Sequence, residues 1–339
     1  MSKRKLTRRQ AWRIEKVQEE KAQRAQKKEQ NIHEQLNAGE LGPEIHGRVM
    51  AHFGSQVEIE SVDEQGPRYR CFLRANLGSL ITGDLVVFRI GANFTGVVEK
   101  VLERRSVLSR PNMYNEVKPV AANIDAIVLV IAPEPLAHTN LIDRYLVAAE
   151  NNQITPIILL NKTDLLNSEN SEYLLAILQD YSALGYQTMQ VCSRDESSLG
   201  ELKAFLNQQT SVFVGQSGVG KSSLISTLLP DEELKIGALS ENTRKGKHTT
   251  TTARLYHFPA GGDLIDSPGI REFGLWHMDE EEVMYGFKEL RALHGHCRFR
   301  NCAHLQEPGC ALLQAVEQGQ VKQQRLDSYH RIVQSLAEL

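Results

Sequence analysis

The sequence predicts a multidomain protein in which a small all-β barrel precedes a doubly wound α/β domain and a C-terminal α-helical domain. Three observations support this prediction. Short alternating segments separated by turn residues fill residues 43–110, a pattern typical of a five-stranded OB-type barrel. Apolar strand-like segments interleaved with helical ones fill residues 111–274, which indicates a mostly parallel sheet. Residues 275–339 have helical patterns that a cluster of cysteines interrupts.

The charge distribution sets the N-terminus apart. The 339 residues carry a net charge of −3, yet residues 1–30 hold eleven Lys/Arg and only four Glu. We expect residues 1–42 to form a basic, mobile arm that binds an anionic partner such as nucleic acid. A solvated arm without a partner is the alternative.

The hydropathy pattern indicates in which cellular compartment the protein is expected. No apolar run approaches the roughly 20 residues of a membrane span, and the charged N-terminus lacks the apolar core of a secretory signal. We therefore expect a cytoplasmic protein with no membrane partner.

The barrel segment contains five candidate strands, which begin near Gly47, Gln56, Tyr69, Leu85 and Gly96. Its arginines are candidates for binding a phosphate backbone. They are Arg68, Arg70, Arg74, Arg104, Arg105 and Arg110. A structural barrel with ordinary surface arginines is the alternative.

The α/β segment contains a glycine-rich loop between a strand and a helix. Its sequence fits the phosphate-loop pattern of Gly, four residues and Gly-Lys-Ser. Loop N–H groups and the helix N-terminus favour phosphate oxygens, Lys221 is suited to the β- and γ-phosphates, and the Ser222 hydroxyl to Mg²⁺. The predicted phosphate-binding residues are Gly215, Gln216, Ser217, Gly218, Val219, Gly220, Lys221, Ser222 and Ser223. A glycine-rich turn without a ligand is the alternative.

A second motif predicts which base is bound. The tetrapeptide Asn161, Lys162, Thr163 and Asp164 ends an apolar strand. The Asp164 carboxylate can accept hydrogen bonds from N1–H and the N2 amine of guanine, whereas adenine has no such donor pair. Asn161 is expected to tie this loop to the phosphate loop, and the stem of Lys162 to lie along the base. Cys192 and Ser193, after the next strand, are expected to offer a backbone N–H to guanine O6.

Further motifs concern the γ-phosphate and Mg²⁺. Asp266 and Gly269 belong to an Asp-Ser-Pro-Gly sequence that resembles the switch II motif of GTPases, in which the aspartate holds a Mg²⁺ water and the glycine N–H senses the γ-phosphate. The threonine run after His248 lies where a switch I threonine belongs, and we favour Thr250 over Thr251 as the Mg²⁺ ligand. A polar loop is the alternative.

Two features depart from ordinary Ras-like GTPases. The Asn161 motif precedes the phosphate loop, so the chain reads as a circular permutation of the same sheet. Ile270 stands where many GTPases have a water-orienting Gln, and an Ile side chain cannot hydrogen-bond water. Unaided hydrolysis should be slow, with the missing group supplied by His248, by a partner or by both. Thr250 and Lys221 complete the predicted catalytic set.

The C-terminal segment contains a candidate metal site. Cys297, Cys302, His304 and Cys310 are spaced as ligands of a closed tetrahedral structural Zn²⁺ site. His294 and His296 compete for the histidine position. Free thiols are the alternative.

The permuted order, the Lys-His-Thr-Thr-Thr sequence, Asp-Ser-Pro-Gly-Ile-Arg-Glu and Cys-x4-Cys-x-His-x5-Cys together resemble the RsgA/YjeQ family of circularly permuted GTPases. The resemblance covers about residues 44–330. It implies an OB-type barrel, a permuted P-loop GTPase domain and a helical zinc domain. It also implies GTP and GDP with Mg²⁺ as ligands, the small ribosomal subunit and its rRNA as partners, late subunit maturation as the role, and hydrolysis stimulated by the subunit. We expect a monomer. A GTP-regulated rRNA-binding scaffold with incidental hydrolysis is the alternative function.

Overall fold

The first compact unit comprises the described residues up to Leu80 together with Asp84–Glu103. The computed structural model describes residues 41–63, 66–74, 76–111, 116–230, 253–266 and 278–337. The predicted arm, apart from its last two residues, therefore lies outside the described residues. Five strands form this unit: β1 (Glu44–Phe53), β2 (Gln56–Ser61), β3 (Tyr69–Leu73), β4 (Leu85–Ile90) and β5 (Thr95–Val101).

The five strands close into a ring, which confirms the predicted barrel. β1 pairs antiparallel with both β2 and β4, β2 pairs with β3, β3 runs parallel to β5, and β5 returns to β4. Alternate apolar side chains point inward and fill the barrel with a buried cluster that includes Val49, Ile59 and Phe88. Closure leaves no unpaired edge strand in this unit.

The second compact unit comprises Ile81–Gly83 and Arg104–Leu339. Three of the six candidate phosphate-binding arginines, Arg104, Arg105 and Arg110, therefore belong to this unit and not to the barrel. The unit starts with a two-stranded antiparallel sheet of β6 (Val107–Pro111) and β7 (Val117–Ala122), which the sequence analysis did not predict. The predicted domain boundaries stay predictions.

The main sheet of the second unit has the order β10-β9-β8-β11-β13-β12, in which only β12 is antiparallel. Its six strands lie within residues 111–274, where interleaved apolar strands were predicted. They are β8 (Ala126–Ile131), β9 (Thr155–Leu160), β10 (Gln187–Gln190), β11 (Thr210–Val214), β12 (Arg254–His257) and β13 (Asp263–Asp266). β8 and β11 are buried along their whole length, as expected of central strands covered on both faces.

Helices cover this sheet. They are α1 (Thr139–Asn151), α2 (Ser171–Ala183), α3 (Gly200–Leu206) and α4 (Lys221–Leu228), with 3₁₀ turns at Thr163–Leu165 and Glu196–Leu199. The strand–helix alternation confirms the doubly wound α/β architecture. Because the parallel strands end at the same edge, the loops after β8, β9, β10, β11 and β13 gather there.

The C-terminal region is helical, as predicted. Its helices are α5 (Glu280–Gly286), α6 (Lys288–Arg291), α7 (Ala311–Glu317) and α8 (Gln323–Ala337). α5 begins with a capping box between Asp279 and Glu282. α5 approaches α1 so closely that a Cβ on Gly286 would lie 2.7 Å from the Val147 Cα, so only glycine permits this contact.

A buried ionic cluster joins α8 to the α/β layer. The Arg325 guanidinium, 7% exposed, contacts the Asp143 carboxylate on α1 and donates to Glu289 on α6 at 2.5 Å. Tyr181 on α2 donates to Asp143 as well. Burial raises the pKa of Asp143, with Arg325 acting in the opposite direction. One buried cation therefore compensates two carboxylates.

Within the described residues, none of the helices is both long and apolar enough to cross a membrane.

Replacing Arg325 by alanine should destabilise the second unit. Arg325→Ala leaves Asp143 and Glu289 buried without a counter-charge, which costs about 3–5 kcal/mol when one partner of a buried pair is removed. The folded-state pKa of Asp143 is already raised and should rise further in the variant. The loss of stability is therefore full where Asp143 is ionised in the folded variant, and it shrinks as the pH falls through the raised pKa of Asp143, because the folded variant then takes up a proton.

The measurement is urea-induced unfolding at pH 8 and pH 5. Arg331 lies exposed on the same helix, so Arg331→Ala is the control and should change stability by no more than about 0.5 kcal/mol. An Arg325→Ala protein as stable as wild type at pH 8 would contradict the assigned role of the cluster.

Candidate functional site

The phosphate loop joins β11 to α4 at the carboxyl edge of the sheet. β11 is fully buried and ends at Val214, and α4 begins at Lys221, so the glycine-rich residues form the turn between them. The Lys221 ammonium donates to the carbonyl oxygens of Gly215 at 2.7 Å and Gln216 at 2.6 Å. Its side chain thus lies within the loop. Ser222 and Ser223 occupy the first turn of α4.

Asn161 connects the base loop to the phosphate loop, as the sequence analysis expected. The residue is fully buried at the end of β9. Its Nδ2 donates to the Val219 carbonyl at 3.0 Å, and its Oδ1 accepts the Ser193 N–H at 3.2 Å. Gly220 has a φ of +92°, and a Cβ there would lie 2.5 Å from the Asn161 Nδ2. The Asn161 side chain therefore has room in this position only because residue 220 is a glycine.

The base loop holds its remaining side chains by separate contacts. Lys162 has a left-handed φ of 61° and donates from Nζ to the Glu134 carbonyl at 2.8 Å. The Thr163 hydroxyl donates to the Val191 carbonyl at 3.2 Å. Lys162 therefore binds the loop that follows β8, and Thr163 binds the end of the strand segment before Cys192.

Asp164 contacts two residues of the loop after β10. The Cys192 thiol donates to Oδ1 at 3.2 Å, and the Arg194 guanidinium donates to Oδ2 at 3.3 Å. The carboxylate is 35% exposed. The structure thus brings Asp164 and Cys192 together, as predicted, and adds Arg194, which the sequence analysis missed although it directly follows Ser193.

Backbone amides of this loop are engaged. We expected a backbone N–H of Cys192 or Ser193 to face guanine O6. The Ser193 N–H donates to Asn161 Oδ1, and the Cys192 N–H donates to the Ser198 hydroxyl at 2.9 Å. The Thr227 hydroxyl on α4 donates to the Ser193 carbonyl at 3.1 Å. Ser198 and Thr227 were not predicted either, because individual side-chain contacts of this kind leave no periodic pattern in the sequence.

The γ-phosphate side of the site is described only in part. Asp266 ends β13, next to β11 in the sheet, and is 7% exposed. Its strand therefore ends at the edge where the phosphate loop lies. His248, Thr250, Thr251, Gly269 and Ile270 lie outside the described residues.

The C-terminal cysteines form a compact ligand group with His304. One ligand atom from each of Cys297, Cys302, His304 and Cys310 lies within 4.8 Å of the others. The Cys297 and Cys310 sulfurs are 4.0 Å apart, and the His304 Nδ1 is 3.5 Å and 3.4 Å from them. Zn–S bonds of about 2.3 Å in a tetrahedron place two sulfurs about 3.8 Å apart, so these residues fit a four-coordinate metal.

The structure selects His304 from the three candidate histidines, since His294 and His296 are not part of the group. Burial lowers the pKa of His304, which favours the neutral imidazole that ligates metals. The amide of Ala311 at the start of α7 donates to the Cys297 sulfur at 3.3 Å. The group therefore combines a neutral imidazole with a sulfur that accepts a backbone hydrogen bond.

Glu307 shapes the ligand loop and was missed by the sequence analysis. Its carboxylate accepts the N–H groups of Ala303 and Leu305 at 2.9 Å and of Gln306 at 3.0 Å. These backbone hydrogen bonds lower the pKa of Glu307 to about 2. The ionised carboxylate therefore fixes the turn that carries His304.

Comparison with known proteins agrees with this geometry. The family described as RsgA GTPase matches residues 101–276. A protein of Marinobacter nauticus named small ribosomal subunit biogenesis GTPase RsgA is 56% identical, covering 100% of this chain and 97% of its own. A protein of the same name from Azotobacter vinelandii is 57% identical, covering 100% and 99%.

Two solved structures are similar as well. YjeQ from Thermotoga maritima has a TM-score of 0.73 and 30% identity, covering 88% of this chain and 100% of its own. YloQ, described as a circularly permuted GTPase, has a TM-score of 0.70 and 30% identity, covering 87% and 96%.

Metal analysis tests the ligand group. We expect about one metal equivalent per chain by elemental analysis. Cys302→Ser should reduce that content and loosen the C-terminal helices while nucleotide affinity stays close to wild type, because metal binding and folding are coupled locally. Cys71 lies in the barrel core and not in the group, so Cys71→Ala is the control for metal content. A natively purified protein free of metal would refute the site.

Proposed function

This chain belongs to the RsgA GTPase family, and from that membership we propose that it hydrolyses GTP to GDP and phosphate during biogenesis of the small ribosomal subunit. The relatives that share its full length carry that role in their names. The proposal includes a monomeric, cytoplasmic protein whose turnover the subunit stimulates.

The Asn161 contact is the observation that best supports GTP as substrate. It fixes the base loop, the phosphate loop and the Ser193 segment in one arrangement at the carboxyl edge of the sheet. We assign guanine recognition to Asp164 and packing along the base to the Lys162 stem. The Cys192 and Ser193 N–H groups bond to Ser198 and Asn161, so we assign this segment to positioning the base loop and not to contact with O6. Thr163 supports the loop through Val191.

The phosphate-binding side of the proposed site consists of the phosphate loop, which follows β11, and of the end of β13. We assign Gly215–Ser223 to the phosphates, with Lys221 exchanging its loop carbonyls for phosphate oxygens when nucleotide binds. Mg²⁺ would be held by Ser222 and Thr250, with Asp266 on one of its waters and Gly269 at the γ-phosphate. The ion neutralises charge on the β- and γ-phosphates.

We assign Zn²⁺ to the C-terminal ligand group. Three sulfurs and one imidazole whose ligand atoms lie within 4.8 Å of one another match the preference of this ion. Four protein ligands leave no position for water, so the role is structural. The ion would hold together the segment between α6 and α7.

Binding to rRNA is assigned to the barrel and the basic arm. The Arg70 guanidinium is exposed and lies 5.1 Å from the centre of the Phe53 ring, and Phe94 is 64% exposed. Exposed aromatic and arginine side chains on a barrel of this type are suited to unpaired bases and phosphates. Arg74, by contrast, is paired with Glu99 at 2.7 Å.

The base assignment has a direct test. Asp164→Asn replaces one acceptor by an amide donor, which fits the N1 and C2 edge of xanthine better than that of guanine. We expect preference to shift from GTP to xanthosine triphosphate in competition binding. Asp180→Asn, at a half-buried position on α2 where the carboxylate pairs with Lys322, should leave the preference unchanged. An unaltered GTP preference in Asp164→Asn would remove Asp164 from the base pocket.

Turnover with and without purified small subunits tests the function as a whole. We expect stimulation by subunits, and His248→Ala should lose about 10²-fold or more of the stimulated rate with little effect on basal turnover or on binding, because it removes the group proposed to orient water. His138, exposed before α1, provides the control His138→Ala.

Unstimulated turnover would favour the scaffold function. Stimulated turnover that survives in His248→Ala within a few-fold would assign water positioning to the ribosome or to another residue.

A further inference from the structure

Both carboxylate oxygens of Asp164 already have partners from the protein itself. Oδ1 accepts the Cys192 thiol at 3.2 Å and Oδ2 accepts the Arg194 guanidinium at 3.3 Å. These are the oxygens proposed to accept N1–H and the N2 amine of guanine. Each oxygen can accept a second hydrogen bond, but a cation already bonded to Oδ2 weakens that oxygen as an acceptor, so guanine gains the full carboxylate only when a partner leaves.

The two partners of Asp164 differ in how easily a ligand can displace them. Cys192 is 8% exposed, whereas the Arg194 side chain is 84% exposed. An exposed arginine can turn into water at little cost, and an exposed pair of this kind contributes little to stability. Arg194 is therefore the partner that guanine displaces.

The backbone beneath these side chains is fixed. The Ser193 N–H and carbonyl bond to Asn161 and Thr227. The Asp195 N–H donates to the Cys192 carbonyl at 2.9 Å, and the Cys192 N–H bonds to Ser198. Exchange between Arg194 and a base thus needs a side-chain rotation only.

The chemistry of the two competitors is the same. A guanidinium offers N–H donors on one planar carbon, and guanine offers N1–H and N2–H around its C2 carbon, so both match a carboxylate. The arginine adds a positive charge that guanine lacks. At the Asp164 carboxylate, the Arg194 guanidinium thus takes the place of guanine donors.

We propose that Arg194 occupies the base-reading carboxylate when no nucleotide is bound, weakens the affinity for guanine nucleotides and speeds their release. The proposal rests on the proposed reading of guanine by Asp164. Because the contact concerns the base alone, GDP and GTP are affected by the same factor. Arg194 thus competes with the guanine base for the Asp164 carboxylate and takes no part in hydrolysis.

The test measures dissociation constants of GDP and of a non-hydrolysable GTP analogue, and the release rate of a fluorescent GDP. Removing an exposed ion pair of about 0.4–1 kcal/mol should tighten both affinities about two- to fivefold in Arg194→Ala and slow release. The difference should shrink at high salt, where the exposed pair is screened.

A control is available away from the site, on β7. Lys118 is 61% exposed and pairs with Glu116 at 3.5 Å. Lys118→Ala removes another exposed ion pair and should leave both affinities unchanged. Unchanged or weaker nucleotide binding in Arg194→Ala would overturn the proposal.

A double-mutant cycle separates this proposal from the base assignment. In an Asp164→Asn background, tested with xanthosine diphosphate, removing Arg194 should have little effect because the ion pair is already gone. A full effect there would place the action of Arg194 elsewhere and overturn the proposal. If Asp164→Asn alone keeps its preference for guanine, the base assignment fails instead.

Discussion

The buried carboxamide of Asn161 is the contact on which the proposed site depends. Its Nδ2 donates a hydrogen bond to the phosphate loop, its Oδ1 accepts one from the segment after β10, and the residue is fully buried. An amide is the only ordinary side chain of this length with both a donor and an acceptor at its end. Loss of either bond would leave a buried backbone group without a partner, which costs about 1–3 kcal/mol. Three loops that are far apart in sequence are therefore positioned by one side chain, and Gly220 is required because that side chain fills the space beside it.

The parallel sheet explains why a permuted order of motifs still gives one site. β8, β9 and β10 precede β11 in the chain, yet β11 pairs with β8 and β13 at the centre of the sheet. Loops after parallel strands meet at one edge whatever the order in which the chain supplies them. The permutation also has a consequence for connectivity: β13, which ends at Asp266, leads along the chain to α5 and the metal-binding segment. In an unpermuted chain, the segment after this strand would lead back into the sheet.

Sequence patterns predicted the elements that depend on local periodicity and missed those that depend on distant contacts. The β8 and β11 runs were recognisable because strands buried on both faces are continuously apolar. The β6–β7 pair was not, because its short strands lack such a run and one ends at Pro111. Within the site, motif spacing indicated the loops, whereas Arg194 and Glu307 act through side-chain geometry that only the folded chain creates. Sequence spacing already favoured His304 as the ligand, and the folded chain leaves its two competitors outside the group.

The cluster around Arg325 connects the two halves of the second unit through charge. Asp143 lies on α1 and Tyr181 on α2, the helix after the base loop, while Glu289 lies on α6 before the metal-binding segment. Lys322 adds an ion pair with Asp180 on α2. Burying such groups costs nearly as much as their attraction returns, so the cluster adds little net stability compared with apolar side chains of the same shape. Its effect is on geometry, because charged partners match only in one register. A shift of α2 after nucleotide binding would therefore have to move α8 with it or break the Lys322–Asp180 ion pair and the Tyr181–Asp143 hydrogen bond. This makes α2 a direct physical connection between the base loop and the C-terminal helices.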